Sequence, residues 1–216
     1  MMKAQLNKTR LSLLLLSVIY LVGFVSVALG HADQLMQLSA VNLLFVAALL
    51  LYNAEKIDRT YAAWFLLVAV SGYLIELAGV STGVVFGSYA YGSNLGVKLF
   101  EVPLMIGVNW AMLVFATAAI VSGLKIKNLM KAAIAASVMV IYDLFLEPVA
   151  IRFDFWSWET VAVPLQNYVA WWIIAFVMLT GVFRFVKPLR NSLAIFILSI
   201  QLAFFILLIL VEGLHH

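Results

Sequence analysis

Four carboxyl groups stand where an apolar chain should hold none. Glu76, Glu101, Asp143 and Glu147 fall inside or at the rim of long apolar runs. The other six of the ten acids (Asp33, Glu55, Asp58, Asp154, Glu159 and Glu212) fall in connections or near an end. Ionisable side chains within such runs are costly, and by default they indicate function. Asp143 and Glu147 are four residues apart and so share one helical face. Two carboxylates on one face repel, and partial burial disfavours both charges, so at least one holds its proton near neutral pH. Lys131 and Arg184 stand only at the inner ends of their runs, and no Lys, Arg or His lies deeper inside any apolar run to neutralise the acids. A proton carrier or an acid catalyst has this pattern, whereas a structural ion pair would need the missing cation. The competing reading is packing by protonated acids hydrogen-bonded across helices. Asn109, Tyr142, Gln166, Asn167 and Tyr168 are the candidate partners at similar depth.

The elements that must position these acids follow from composition. The 216 residues are 66% hydrophobic and 11% charged, whereas a soluble domain is about half apolar and about a quarter charged. The surplus faces lipid, because the apolar runs approach the roughly 20 residues that cross a bilayer as a helix. Seven runs qualify, at about residues 11–29, 35–52, 60–80, 102–123, 129–150, 163–185 and 192–211. The expected fold is all-α: one polytopic membrane helix bundle of seven transmembrane helices over residues 1–216. With the N-terminus inside, the inner connections hold Lys3, Lys8, Arg10, Lys56, Arg59, Lys125, Lys127, Lys131, Arg184, Lys187 and Arg190. The outer ones hold only Lys98 and Arg152. That asymmetry predicts a multi-pass protein of the cell inner (cytoplasmic) membrane, N-terminus in and C-terminus out. All four acids then lie in its outer half. Lys8, Arg10 and the residues after the first run resemble a signal peptide, but the run is longer than a usual signal core and reads as a retained helix.

Two outer segments differ from the short basic inner turns. Residues 81–101, STGVVFGSYAYGSNLGVKLFE, carry four glycines, and residues 151–162, IRFDFWSWETVA, carry two tryptophans. An interfacial aromatic belt accounts for some of the rings. The glycines point instead to a tightly folded or re-entrant cap. Other chemistries lack their residues. There is no cysteine, and His31, His215 and His216 all lie outside the runs, so neither a metal site nor any cofactor is expected. Nucleotide loops and the serine-hydrolase elbow are absent. The last run lacks the lysine that a retinal Schiff base needs. The basic residues serve membrane orientation, so no nucleic-acid partner is expected.

Three stretches resemble the membrane carotenoid biosynthesis family: FGSYAYGSNLGVKLFEVPLMIGVNW (residues 86–110), YDLFLEPVAIRFDFWSW (142–158) and VPLQNYVAWW (163–172). The similarity covers roughly residues 70–175 and keeps the three stretches in order. Members such as the gamma-carotene and bisanhydrobacterioruberin hydratases add water to the ψ end of linear carotenoids. One departure is Glu147-Pro148, where many members have Asp-Pro; the carboxylate stays but its arm gains a methylene, which leaves substrate and reaction open. The resemblance implies a carotenoid hydratase acting on a lycopene- or gamma-carotene-like substrate held in the bilayer. Asp143 would donate the proton and Glu147 orient water, with Glu76 and Glu101 completing the polar cluster. Trp110, Tyr142 and Trp171 would face the cation, and Asn109, Asn167, Tyr168 and Trp158 would complete the substrate site. The alternatives are an end-group cyclase or isomerase, a small proton-coupled transporter, and a non-catalytic carotenoid-binding protein. A transport path needs polar groups in both halves of the bilayer, and the inner half has essentially none. The oligomeric state stays open.

Overall fold

The computed structural model describes residues 2–213, with side chains from Asn7 onward. His215, His216 and the side chain of Lys3 lie outside the described residues. In chain order the elements are α1 (Met2–Ala28), α2 (Ala32–Met36), α3 (Ser39–Tyr52), α4 (Arg59–Thr82), β1 (Tyr89–Tyr91), β2 (Lys98–Leu99), β3 (Val102–Pro103), α5 (Leu104–Val121), α6 (Asn128–Arg152), β4 (Trp156–Trp158), α7 (Leu165–Phe185) and α8 (Ala194–Glu212). The protein is a helical, multi-pass membrane bundle. Helices dominate because in lipid every backbone N–H and C=O must be satisfied within its own segment.

Among the described residues six helices are long and apolar enough to cross a membrane: α1, α4, α5, α6, α7 and α8. The expected second span differs. It is not one helix over 35–52 but α2 followed by α3, and the 14 residues of α3 rise only about 21 Å against a core of about 30 Å. The break falls at Gln37 and Leu38, where Ser39 Oγ donates to Met36 O at 2.6 Å and occupies a carbonyl that a continuous helix would use. Asp33, in α2, meets Arg152 at 3.0 Å beside Glu212. Asn53, just after α3, hydrogen-bonds to Ser12 at 2.7 Å and to Thr9 at 3.1 Å. Arg152 and Glu212 close α6 and α8, whereas Thr9 lies near the start of α1. The two short helices together therefore reach from one end of the bundle to the other.

Helix α5 is the axis, buried almost throughout from Met105 to Ala118, and α3, α4, α6, α7 and α8 pack around it. Small residues permit the closest approaches. A Cβ on Gly72 of α4 would sit 2.6 Å from Trp110 Cβ, and one on Gly107 of α5 would sit 2.6 Å from the Ala69 carbonyl oxygen. Helix α4 begins at Asp58, whose carboxylate accepts from Tyr61 N at 2.9 Å, and ends at Gly83 in the left-handed region.

The segment after α4 folds into a cap, and it contains strands that an all-helical expectation omitted. β1 pairs antiparallel with β4, with Tyr89 opposite Trp158 and Tyr91 opposite Trp156. β2 and β3 form a small hairpin around Phe100 and Glu101, both at positive φ. Asp154 ties the cap together, its Oδ2 accepting from both the Ser93 amide and the Ser93 hydroxyl at 2.8 Å. These hydrogen bonds hold the Asp154 carboxyl below its usual range.

Candidate active site

The cap delivers hydrogen-bond donors by strand alternation. Residues two apart on a strand point to one face, so Tyr89 and Tyr91 of β1 and Trp156 and Trp158 of β4 all project from one side of the ribbon. Tyr89 and Tyr91 donate to Glu76 Oε2 at 2.5 and 2.7 Å. Trp156 and Trp158 donate to Glu147 Oε2, both at 3.0 Å. Burial, then the nearby Glu76 charge, holds both phenols well above the usual tyrosine range, so they stay protonated and donating.

The helices complete the shell. Trp110 Nε1 of α5 donates to Glu76 Oε1 at 2.9 Å, and its ring stacks on Trp171 of α7 at 4.3 Å between centroids. Asn167 of α7 donates from Nδ2 to Asp143 Oδ2 and to Glu147 Oε1, each at 3.1 Å. Glu76, Asp143 and Glu147 are all buried, Asp143 at 0% exposure. Glu76 and Glu147 each accept three hydrogen bonds, whereas Asp143 accepts one and its Oδ1 has no partner among the described residues. A buried oxygen without a partner calls for a specific explanation. Pro148, inside α6, frees the carbonyl one turn earlier and loosens the helix next to Glu147.

Two cavities meet here. A small one, about 20 Å³, is bounded by Glu76, Glu147, Tyr91, Asn167 and the stacked Trp110 and Trp171. It has room for roughly one water. A larger cavity of about 360 Å³ is almost wholly apolar and runs between α1, α3, α6 and α8. Ile106, Asn109 and Trp156 line both.

Of the expected site residues, Glu76, Asp143, Glu147, Trp110, Asn167, Trp171, Trp158 and Asn109 are brought together. Asn109 makes no side-chain hydrogen bond among the described residues and sits between the two cavities. Tyr142 faces the larger cavity and donates to Gln201 Oε1 at 3.2 Å. Tyr168 is half-buried and lines neither cavity, and Gln166 donates outward to the Val84 carbonyl. Glu101 stands apart from the cluster. It is exposed in the β2–β3 turn, and α5 starts only at Leu104, so no helix N-terminus holds it. Asp143 lines neither cavity, standing behind Asn167. Tyr89, Tyr91 and Trp156 were missed as site residues, although the Y-A-Y and W-S-W spacing carries the strand signal.

The carotenoid biosynthesis protein family matches residues 37–215, a stretch that holds the three buried acids and the whole cap. Bisanhydrobacterioruberin hydratase from Haloarcula japonica is 30% identical over 129 residues, which cover 53% of this chain and 42% of that protein. The chain thus matches less than half the length of this curated relative. No solved structure matches. With most of its length matched by the family, the chain belongs to the carotenoid biosynthesis protein family.

Proposed function

We propose that the protein hydrates the terminal double bond of a linear (ψ) carotenoid end group to a tertiary alcohol, using its buried carboxyls as acid and base. The observation that carries this reading is a water-sized cavity, with Glu76 and Glu147 in its wall, set beside an apolar cavity suited to a hydrocarbon chain. The relative's name, a hydratase, supports the same reaction class.

In the proposed step, the alkene π electrons take a proton from Asp143 Oδ1, the one carboxyl oxygen of the cluster without a partner. A C–H bond forms at C2 and a tertiary cation at C1. Water held between Glu76 and Glu147 attacks C1, and its proton passes to Glu147. Transfer of that proton from Glu147 to Asp143, one helical turn away, restores both groups, so the net change is addition of one water. The six donors around Glu76 and Glu147 suit the charged form, as a base and a water-orienting group require. The Trp110–Trp171 stack faces the small cavity and offers π density to the cation. Substrate enters the small cavity past Asn109, Ile106 and Trp156, the side chains common to both cavities, and Asn167, which stands between that cavity and Asp143, turns aside to expose the acid. Glu101 has no part in this scheme.

In the membrane, α2 and α3 together supply a seventh crossing, the N-terminus is inside and the C-terminus outside the inner membrane, and the acids lie toward the outer face. The excess of Lys and Arg at one end supports that orientation. The test is pigment analysis in cells that make lycopene or gamma-carotene. Hydration raises the pigment mass by one water and leaves the conjugated chain, and so the absorption spectrum, almost unchanged. A pigment of unchanged mass and altered end group would establish cyclisation instead, and an untouched pigment would refute both.

A further inference from the structure

The larger cavity is not uniformly apolar. At one place four polar side chains from four helices converge on it: Tyr20 of α1, Asn42 of α3, Tyr142 of α6 and Gln201 of α8. Asn42 Nδ2 donates to the Tyr20 hydroxyl at 3.3 Å, Gln201 also reaches that hydroxyl, and Tyr142 donates to Gln201 Oε1 at 3.2 Å. Tyr20, Tyr142 and Gln201 are each 5% exposed or less. Such links can serve as glue between membrane helices. Glue does not explain Asn42, whose Oδ1 is buried without a partner among the described residues. Turning the amide over does not remove the deficit. Oδ1 would then accept from Tyr20, and Nδ2 would be left without an acceptor. A buried amide atom left unpaired in an apolar surround has lost its hydration without replacement, so a ligand group that pairs with it is favoured.

We propose that this quartet is a second station in the substrate cavity, which binds the hydroxyl of an isoprenoid alcohol. A hydroxyl both donates and accepts, so it satisfies Asn42 in either amide orientation; an ether or a carbonyl satisfies only one. The rest of the cavity takes an apolar chain. The station is separate from the three acids, because among the described residues none of its side chains hydrogen-bonds to Glu76, Asp143 or Glu147, and none of those acids lines this cavity. On the hydratase reading, on which this inference rests, the station has a chemical purpose. Acid-catalysed hydration runs in both directions, and an alcohol left beside Asp143 would lose water again. Moving the new hydroxyl to Asn42 takes it away from the acid and holds the product.

Binding of two pigments to the protein in lipid nanodiscs tests the station: lycopene, and the lycopene mono-alcohol with a tertiary hydroxyl at one end. Quenching of tryptophan fluorescence by the polyene reads the affinity. The wild type is expected to bind the alcohol about five- to tenfold more tightly than lycopene, the worth of one net hydrogen bond. Asn42→Leu is expected to bring that ratio to about one, with Asn42→Ala as the second variant if Leu disturbs the fold, and Asp143→Asn to preserve it. Equal binding of both pigments by the wild type would overturn the station and leave the hydratase reading standing. A preference that survives Asn42→Leu and disappears in Asp143→Asn would place the hydroxyl at the acids and also overturn it. Binding of neither pigment would remove the polyene reading and the station with it.

Discussion

Asp143 and Glu147 are one helical turn apart, yet their surroundings are opposite. Three donors from two elements surround Glu147, whereas Asp143 shares a single amide and keeps a bare oxygen. That contrast divides acid from base, and it makes the substitutions unequal. Asp143→Asn keeps the shape but removes the acidic proton, and should lower turnover by at least about 100-fold, measured as hydroxylated pigment formed per unit of protein. Glu101→Gln, at the exposed turn, should stay within about twofold of wild type in the same assay. Full activity in the Asn variant together with loss in Glu76→Gln would transfer the donor role to Glu76. The three buried acids were legible because charge inside an apolar run is conspicuous. Glu101 misled because it sits at the rim of an apolar run; Phe100 and Glu101 form the turn without the Gly or Asn that usually announces such a conformation.

At the level of the element, the β1–β4 ribbon turns two short aromatic repeats into a lid of donors. Tyr91→Phe and Trp156→Phe each remove one donor from a buried carboxylate, and each should destabilise the protein by about 1.5–3 kcal/mol, read as a lower unfolding midpoint in detergent. The double variant tests whether the ribbon acts as one unit, because coupled losses then fall short of the sum. The cap also senses pH through Asp154. Its carboxyl titrates below the usual value in the folded cap, so its stabilising effect is complete above about pH 4 and is lost as the pH falls through the lower folded value. Protection of the Ser93 amide from hydrogen exchange should therefore decline on acidification, and Asp154→Asn should flatten that dependence while still accepting from Ser93. Gly72→Ala should be among the costlier single-methyl changes, because the new Cβ meets Trp110 at 2.6 Å and displaces the ring that donates to Glu76. The ribbon was hard to foresee because tyrosine and tryptophan next to a membrane surface are commonplace, and that reading absorbed the period-two signal. The break between α2 and α3 left no trace either. It comes from a serine hydroxyl taking one backbone carbonyl, with no proline or glycine at Gln37 and Leu38.

For the whole molecule, hydropathy and basic-residue placement were enough to read a helical membrane bundle, because lipid leaves the backbone few alternatives. A reporter fused after His216 should be active outside the membrane, and one fused near Arg190 inside; the reverse pattern would turn the acids to the inner face. The larger cavity has Ile19, Leu38 and Val41 among its walls, side chains that are also exposed on the bundle's flank. A substrate entering between α1 and α3 would come sideways out of the bilayer and never pass through water. The quantity that saturates such an enzyme is then the mole fraction of pigment in the membrane, not its amount per litre. Adding inert phospholipid at constant protein and constant pigment should slow the reaction in proportion, while diluting the same vesicles with buffer should leave the rate per molecule unchanged.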